Sequence, residues 1–124
     1  MKYPGNLKYN REHLWVKIEG DTVYVGITDY AQNELGEILY VDLPEVGKKY
    51  NKGEQFSEVE SAKVNSTLCM PFTGTVKEVN EKLEDEPELI NQEPYEAWIA
   101  GFILHDSAEL CDLISASEYE AGLK

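Results

Sequence analysis

The sequence predicts a mainly β fold: a sandwich or flattened barrel of two similar hairpin-bearing halves, with a short helix after the first hairpin and a helical C-terminus. Three observations carry this expectation. Short, apolar-alternating runs recur as far as Leu104. Glycine and proline punctuate them at turn-like intervals. Helical periodicity and capping patterns dominate only the tail.

The elements follow in order. Trp15-Val16-Lys17-Ile18-Glu19 and Val23-Tyr24-Val25-Gly26-Ile27 flank Gly20-Asp21, a hairpin signal. Residues 28–35 read as a short helix, with Asp29 as N-cap, Gln32 three residues on, and Gly36 as the stop. Ile38-Leu39-Tyr40-Val41-Asp42-Leu43 is a strand ended by Pro44. Gly47 and Gly53 bracket a tight polar stretch. Residues 55–60 and 64–70 then read as strands flanking Ser61-Ala62-Lys63, and residues 75–80 as another. Residues 81–96 are acidic and carry Pro87 and Pro94, which reads as a long surface loop. Residues 98–104 are a last strand. In the tail, Asp106 with Glu109 and Ser117 with Glu120 have capping-box spacing, and Leu110, Leu113 and Ile114 supply an apolar face.

Size and charge bound the function. A chain of 124 residues fits one domain, residues 1–124. At 42% hydrophobic it can form a core, but it has little interior for a large catalytic cleft. A carrier or binding module is therefore expected over an enzyme. With 24 acids against 11 bases, the net charge of -13 argues against nucleic acid. Such a surface suits docking onto basic protein patches, or simply keeps the chain dispersed. Cys69 and Cys111 form no CxxC pair, so no disulfide framework is expected. No apolar run reaches membrane-spanning length, and the start of the chain lacks a signal-peptide core. The expected setting is cytoplasmic.

Lys63 is the main candidate for chemistry. It lies between two strand-like runs beside the small residues Ser61 and Ala62, so a hairpin there would push its ammonium into water. Gly47 precedes it by 16 residues and Gly74 follows by 11, placing a glycine turn on each side. The other candidates read as structural. His13 and His105 are too few, without cysteine partners, for a zinc site, so no metal is expected. Cys69 reads as a buried apolar residue, and Glu84-Asp85-Glu86 as a solvated run or, alternatively, a docking point for a basic partner. No Walker, Rossmann or GxSxG motif appears.

Several stretches share an order and spacing with a known family: His13-Leu14-Trp15-Val16, residues 25–32, Leu35-Gly36-Glu37-Ile38, residues 41–47, Val59-Glu60-Ser61-Ala62-Lys63, Gly74-Thr75-Val76, Val79-Asn80-Glu81, residues 87–91, Pro94-Tyr95 and Trp98. The chain resembles the lipoyl and biotinyl carrier domains, and more closely the H protein of the glycine cleavage system. The resemblance spans essentially the whole sequence. It implies a lipoyl-type barrel-sandwich, a monomeric, non-catalytic carrier, and covalent lipoate on Lys63, with Glu60 and Ser61 as the lipoylation signature. The implied partners are a pyridoxal-phosphate glycine decarboxylase that loads an aminomethyl group, a folate-dependent aminomethyltransferase, a dihydrolipoyl dehydrogenase, and a lipoyl ligase or transferase.

The sequence departs from the family near the arm. Leu14 stands where the family commonly has Glu, Thr67 where it has Asp, and Val64 where it has Ala; Cys69-Met70 replaces Tyr-Ala. Family carboxylates there hold the aminomethyl ammonium, so Glu12, Asp29 and Glu60 become the candidate substitutes. H-protein-like carriers in sulfur oxidation, redox defence or lipoate relay stay open as alternatives, as does an unmodified adaptor module.

Overall fold

The computed structural model describes residues 3–123. Its strands form two antiparallel sheets. The larger contains β1 (Lys8–Tyr9), β2 (Leu14–Glu19), β3 (Thr22–Ile27), β5 (Lys49–Tyr50), β8 (Gly74–Val79) and β9 (Ala100–Leu104), in the order β1-β2-β3-β9-β8-β5. The smaller contains β4 (Ile38–Asp42), β6 (Gln55–Ser61) and β7 (Asn65–Cys69), in the order β4-β6-β7. This is the expected mainly β barrel-sandwich, with its two ladders hydrogen-bonded separately.

Alternation accounts for Val16, Val23, Val25 and Ile27 of the first hairpin, which are buried, as are Val41 and Val59 from the small sheet. Ile18, expected inward with Val16, is instead exposed at the outer end of β2. The sheets close on Phe102, whose ring meets Phe56 and Phe72 edge-on at 5.6 and 5.7 Å. A second cluster of Leu7, Tyr9, Trp15 and Tyr119 ties the start of the chain to its end. There Tyr9 and Ile114 exchange backbone hydrogen bonds of 2.9 and 2.8 Å. No helix among the described residues is long and apolar enough to cross a membrane.

Several local expectations shift. Helix α1 is Asp29–Leu35, but its N-cap is Thr28, whose hydroxyl accepts from Ala31 N at 3.2 Å. Asp29 sits in the first turn and accepts from Gln32 Nε2 at 2.7 Å. The expected cap was therefore one residue late. Gly36 does end the helix, at φ 80°.

The acidic stretch expected to be a loop contains two short helices, α2 (Lys82–Asp85) and α3 (Leu89–Gln92). Leu83 and Ile90 are fully buried beneath them, while Glu84, Asp85 and Glu86 stay exposed. Proline and acid content masked this pair of apolar anchors. The helices matter for the site: Asn91 accepts from Ile38 N at 2.9 Å and donates to Gly36 O at 2.8 Å.

Gly74 is not a turn glycine. Only Gly20, Gly36, Gly47 and Gly53 have positive φ among the described glycines. Gly74 instead opens β8 at a close approach, where an added Cβ would lie 3.1 Å from Phe102 Cβ and from Ile103 O. In the tail, residues Ser107–Asp112 form a 3-10 turn capped by Asp106. Glu109 is diverted from any capping box, because it accepts from Thr73 N at 2.7 Å. The capping box of α4 (Ala116–Gly122) is Ser115 with Glu118, two residues before the expected pair. Cys69 is half-buried; Leu68 and Met70 on the opposite face of the strand enter the core.

Candidate functional site

The chain reverses between β6 and β7 through Ala62-Lys63-Val64, all exposed. No glycine makes this turn. The Ser61 hydroxyl donates to Val64 O at 2.8 Å and accepts from Val64 N at 3.0 Å and Lys63 N at 3.2 Å. A serine side chain so placed stands in for backbone partners the turn lacks. Ser61 N also donates to Val64 O at 2.9 Å, and Ala62 N donates to Glu37 O at 2.9 Å, joining the tip to the start of β4. The backbone of Lys63 is thus held from both sides while its amine is left accessible.

The stem of Lys63 lies over Gly36. A Cβ at Gly36 would sit 3.3 Å from Lys63 Cε, and φ 80° with ψ -154° is a conformation open essentially to glycine alone. Gly36 is required by the φ that ends α1, and the Lys63 stem rests against its bare backbone.

A cleft of about 130 Å³ opens along α1, the loop before β2 and β7. Its walls combine apolar Ile27, Ala31, Leu35 and Leu68 with polar Glu12, His13, Glu34 and Ser66. Tyr30 closes it, its ring 4.8 Å from that of His13. His13 adopts φ 70°, the only positive φ outside glycine among the described residues. Its Nδ1 lies 2.7 Å from the Tyr119 hydroxyl. Burial pulls its pKa below the ordinary 6.5, with Glu34 opposing. An apolar trough edged by carboxylates can take a long aliphatic arm that ends in a cation.

The structure sorts the sequence candidates. Lys63 and Ser61 meet at the tip, and Glu60 lies on β6, paired with Tyr40 and Asn65. Glu12 edges the cleft, whereas Asp29 and Glu60 are not among its walls. Asp29 borders a polar groove with Asn91 and Tyr95, and its N–H donates to the Tyr95 hydroxyl at 3.0 Å. Leu14 belongs to the core at 1% exposure, and Thr67 is exposed outside the cleft. Glu34 was missed. Tyr30 and Glu34, four apart on α1, share a helix face, and that spacing was the available signal.

Comparison with known proteins gives the family. The profile of the family described as "Glycine cleavage H-protein" matches residues 7–124. A glycine cleavage system H protein of Clostridioides difficile (strain 630) is 59% identical over 100% of both chains. One from Staphylococcus haemolyticus (strain JCSC1435) is 52% identical over 97% of this chain and 96% of its own. The crystal structure of a glycine cleavage system H protein from Mycobacterium marinum superposes with a TM-score of 0.85 at 36% identity, covering 97% of this chain and 98% of that one. With an exposed lysine on a side-chain-fixed tip, a carboxylate-edged cleft beside it, and relatives matched along their whole length, the chain belongs to the glycine cleavage H-protein family.

Proposed function

We propose that Lys63 carries lipoate through an amide on Nζ and that the cleft between α1 and β7 seats the arm when it bears a cationic aminomethyl cargo. The single observation that carries this reading is the tip itself: an exposed lysine whose backbone is fixed by Ser61 and whose stem runs over Gly36 at the end of the helix that walls the cleft. Bound lipoate would supply a dithiolane that can be reduced, loaded and reoxidised. The protein's own part is to present, seat and release. Ser61 holds the lysine backbone for a lipoyl ligase or transferase, and Glu60 with Ser61 forms the lipoylation signature. Ile27, Ala31, Leu35 and Leu68 offer an apolar surface to the arm. Glu12 and Glu34 take the carboxylate role that Leu14 and Thr67 do not fill. No residue acts as a general acid or base.

The chain docks in turn, on this reading, with a pyridoxal-phosphate decarboxylase, a folate-dependent aminomethyltransferase and a flavin dehydrogenase. Tethering raises the effective concentration of the arm at each. The family match favours glycine cleavage over the sulfur-oxidation, redox-defence and lipoate-relay roles, and over the unmodified adaptor.

The test is the intact mass of protein from a lipoylating host. Wild type should gain one lipoyl increment, and Lys63→Arg none, with an unchanged circular dichroism spectrum. Arginine keeps the charge but is not the amine that is acylated. An increment on Lys77 or Lys82 with Lys63 bare would overturn the assignment. For the cleft, Glu12→Gln with Glu34→Gln should speed loss of ammonia and formaldehyde from the loaded protein by about tenfold, the worth of one charged hydrogen bond of roughly 1.5–3 kcal/mol discounted for solvent. Equal release from both proteins removes the two carboxylates from this role.

A further inference from the structure

We propose that Tyr119, on the C-terminal helix, is a positioning residue for the arm cleft: through His13 it fixes the tautomer of the imidazole in the cleft wall and keeps that wall neutral where a cationic cargo rests. This rests on the preceding reading of the cleft as the arm's seat. It extends that reading to a residue 106 positions away in sequence from the one it acts on.

The argument begins with the backbone. A non-glycine residue at φ 70° is held there only if its surroundings over-determine it. His13 meets that condition. Its N–H donates to Asn10 O at 3.2 Å, and its C=O accepts from Thr28 N at 3.1 Å. The Asn10 side chain accepts from Glu12 N and Leu14 N on either side, at 3.1 and 3.0 Å. The ring is then gripped between Tyr30 at 4.8 Å and Tyr119 at 5.7 Å.

Proton accounting gives the direction of the chain that follows. Thr28 is fully buried, and its hydroxyl already accepts from Ala31 N as the cap of α1. Its own proton needs an acceptor, and the Tyr119 hydroxyl lies 2.8 Å away. The Tyr119 proton must then point to His13 Nδ1 at 2.7 Å. Run this way, Thr28 to Tyr119 to His13, every buried proton is used. Run the other way, the proton of the fully buried Thr28 has no partner among the described residues, a cost native proteins avoid. Nδ1 is therefore an acceptor, and the neutral imidazole carries its proton on Nε2.

The consequence concerns charge. The titratable groups around the ring are Glu12 on its own loop, Tyr30 and Glu34 on α1, and Tyr119 on α4; β7 contributes neutral Ser66 and Leu68. With His13 neutral, the two carboxylates set the sign of the cleft. It then favours a cationic arm over an uncharged one. A protonated His13 would reverse the hydroxyl chain, strand the Thr28 proton and place a positive charge beside the cargo. Burial, which holds His13 below its ordinary pKa, works in the same direction. The C-terminal helix thereby bears on the arm without touching it.

The experiment uses the full chain without lipoate first. With His105→Gln leaving one histidine, nitrogen-15 labelling reads the His13 tautomer directly. Wild-type His13 should be the Nε2–H form at neutral pH. Tyr119→Phe removes one oxygen and keeps the ring stacked on Tyr9 at 5.1 Å; it should give a mixture of tautomers and a shifted titration midpoint. Thr28→Ser, which retains the hydroxyl, should behave as wild type; if Tyr119→Phe folds poorly, the tautomer of wild-type His13 alone decides the direction of the chain. An Nδ1–H form in wild type, or an unchanged tautomer in Tyr119→Phe, overturns the inference. The lipoylated, aminomethyl-loaded proteins are compared next. Tyr119→Phe should release its cargo several-fold faster, and wild-type release should accelerate as His13 titrates. A shifted tautomer with unchanged release overturns the seating of the arm here, and so separates that failure from failure of the hydroxyl chain.

Discussion

The two principal hairpin tips solve the same reversal by opposite means. Between β2 and β3 the chain turns on Gly20 at φ 64°, with open space where a Cβ would be. Between β6 and β7 there is no glycine, and the Ser61 hydroxyl ties down Lys63 and Val64. The first device is intrinsic to the backbone and holds nothing in place. The second spends a side chain to fix the backbone of one lysine. On the proposed reading Lys63 is visited by a modifying enzyme, and a rigid base lets each visit meet a single geometry. A turn that only connects strands needs no such restraint.

Removing the tip's support separates the two devices most strongly. Gly36→Ala should have the largest effect after loss of the lysine itself. It forces a side chain into a glycine-only conformation and against the Lys63 stem. A stability loss of about 1–3 kcal/mol is expected from the backbone strain. A marked slowing of lipoylation should accompany it, read by denaturant unfolding and by mass against time. Normal lipoylation in a destabilised Gly36→Ala would show that the stem's path over Gly36 is incidental.

Ser61→Ala should come next. The hydroxyl's bonds are worth about 1 kcal/mol each, but they are solvent-accessible and local, so global unfolding should change little. Amide exchange at Lys63 and Val64 should quicken, and lipoylation should slow by roughly fivefold, the equivalent of one such bond of about 1 kcal/mol. Unchanged exchange would mean that the ladder alone holds the tip. Gly20→Ala should have the smallest effect on the site. It costs about 1–2 kcal/mol for a left-handed residue, visible in unfolding, and should leave lipoylation untouched. If Gly20→Ala slowed lipoylation as much as Ser61→Ala, the tips would not be independent.

Much of this organisation was legible in sequence because it is local. The first hairpin follows from alternation around Gly20-Asp21, and the stop of α1 from Gly36. Lys63 stood out through its neighbours and through the family resemblance. Caps were misplaced by one or two residues because Thr28, Asp29, Ser115 and Ser117 are all competent caps. The winner is chosen by which N–H groups the fold leaves unpaired. Helices α2 and α3 were lost to composition, since two buried side chains, Leu83 and Ile90, outweigh the acids and prolines around them.

The sequence alone determined the mainly β class, seven of the nine described strands in their order along the chain, and Lys63 as an exposed residue at a hairpin tip, because periods and turn residues act over a few positions; the two-residue strands β1 and β5 are too short to show a period. Only the tertiary structure decided what surrounds that lysine. Leu14 went to the core, Glu34 to the cleft, Asp29 to another groove, and Tyr119 to His13 from the far end of the chain. Those assignments depend on which faces pack together and which buried protons find partners. Both are properties of the assembled sheets and helices, and of these four residues only Glu34, four after Tyr30 on α1, left a local signal.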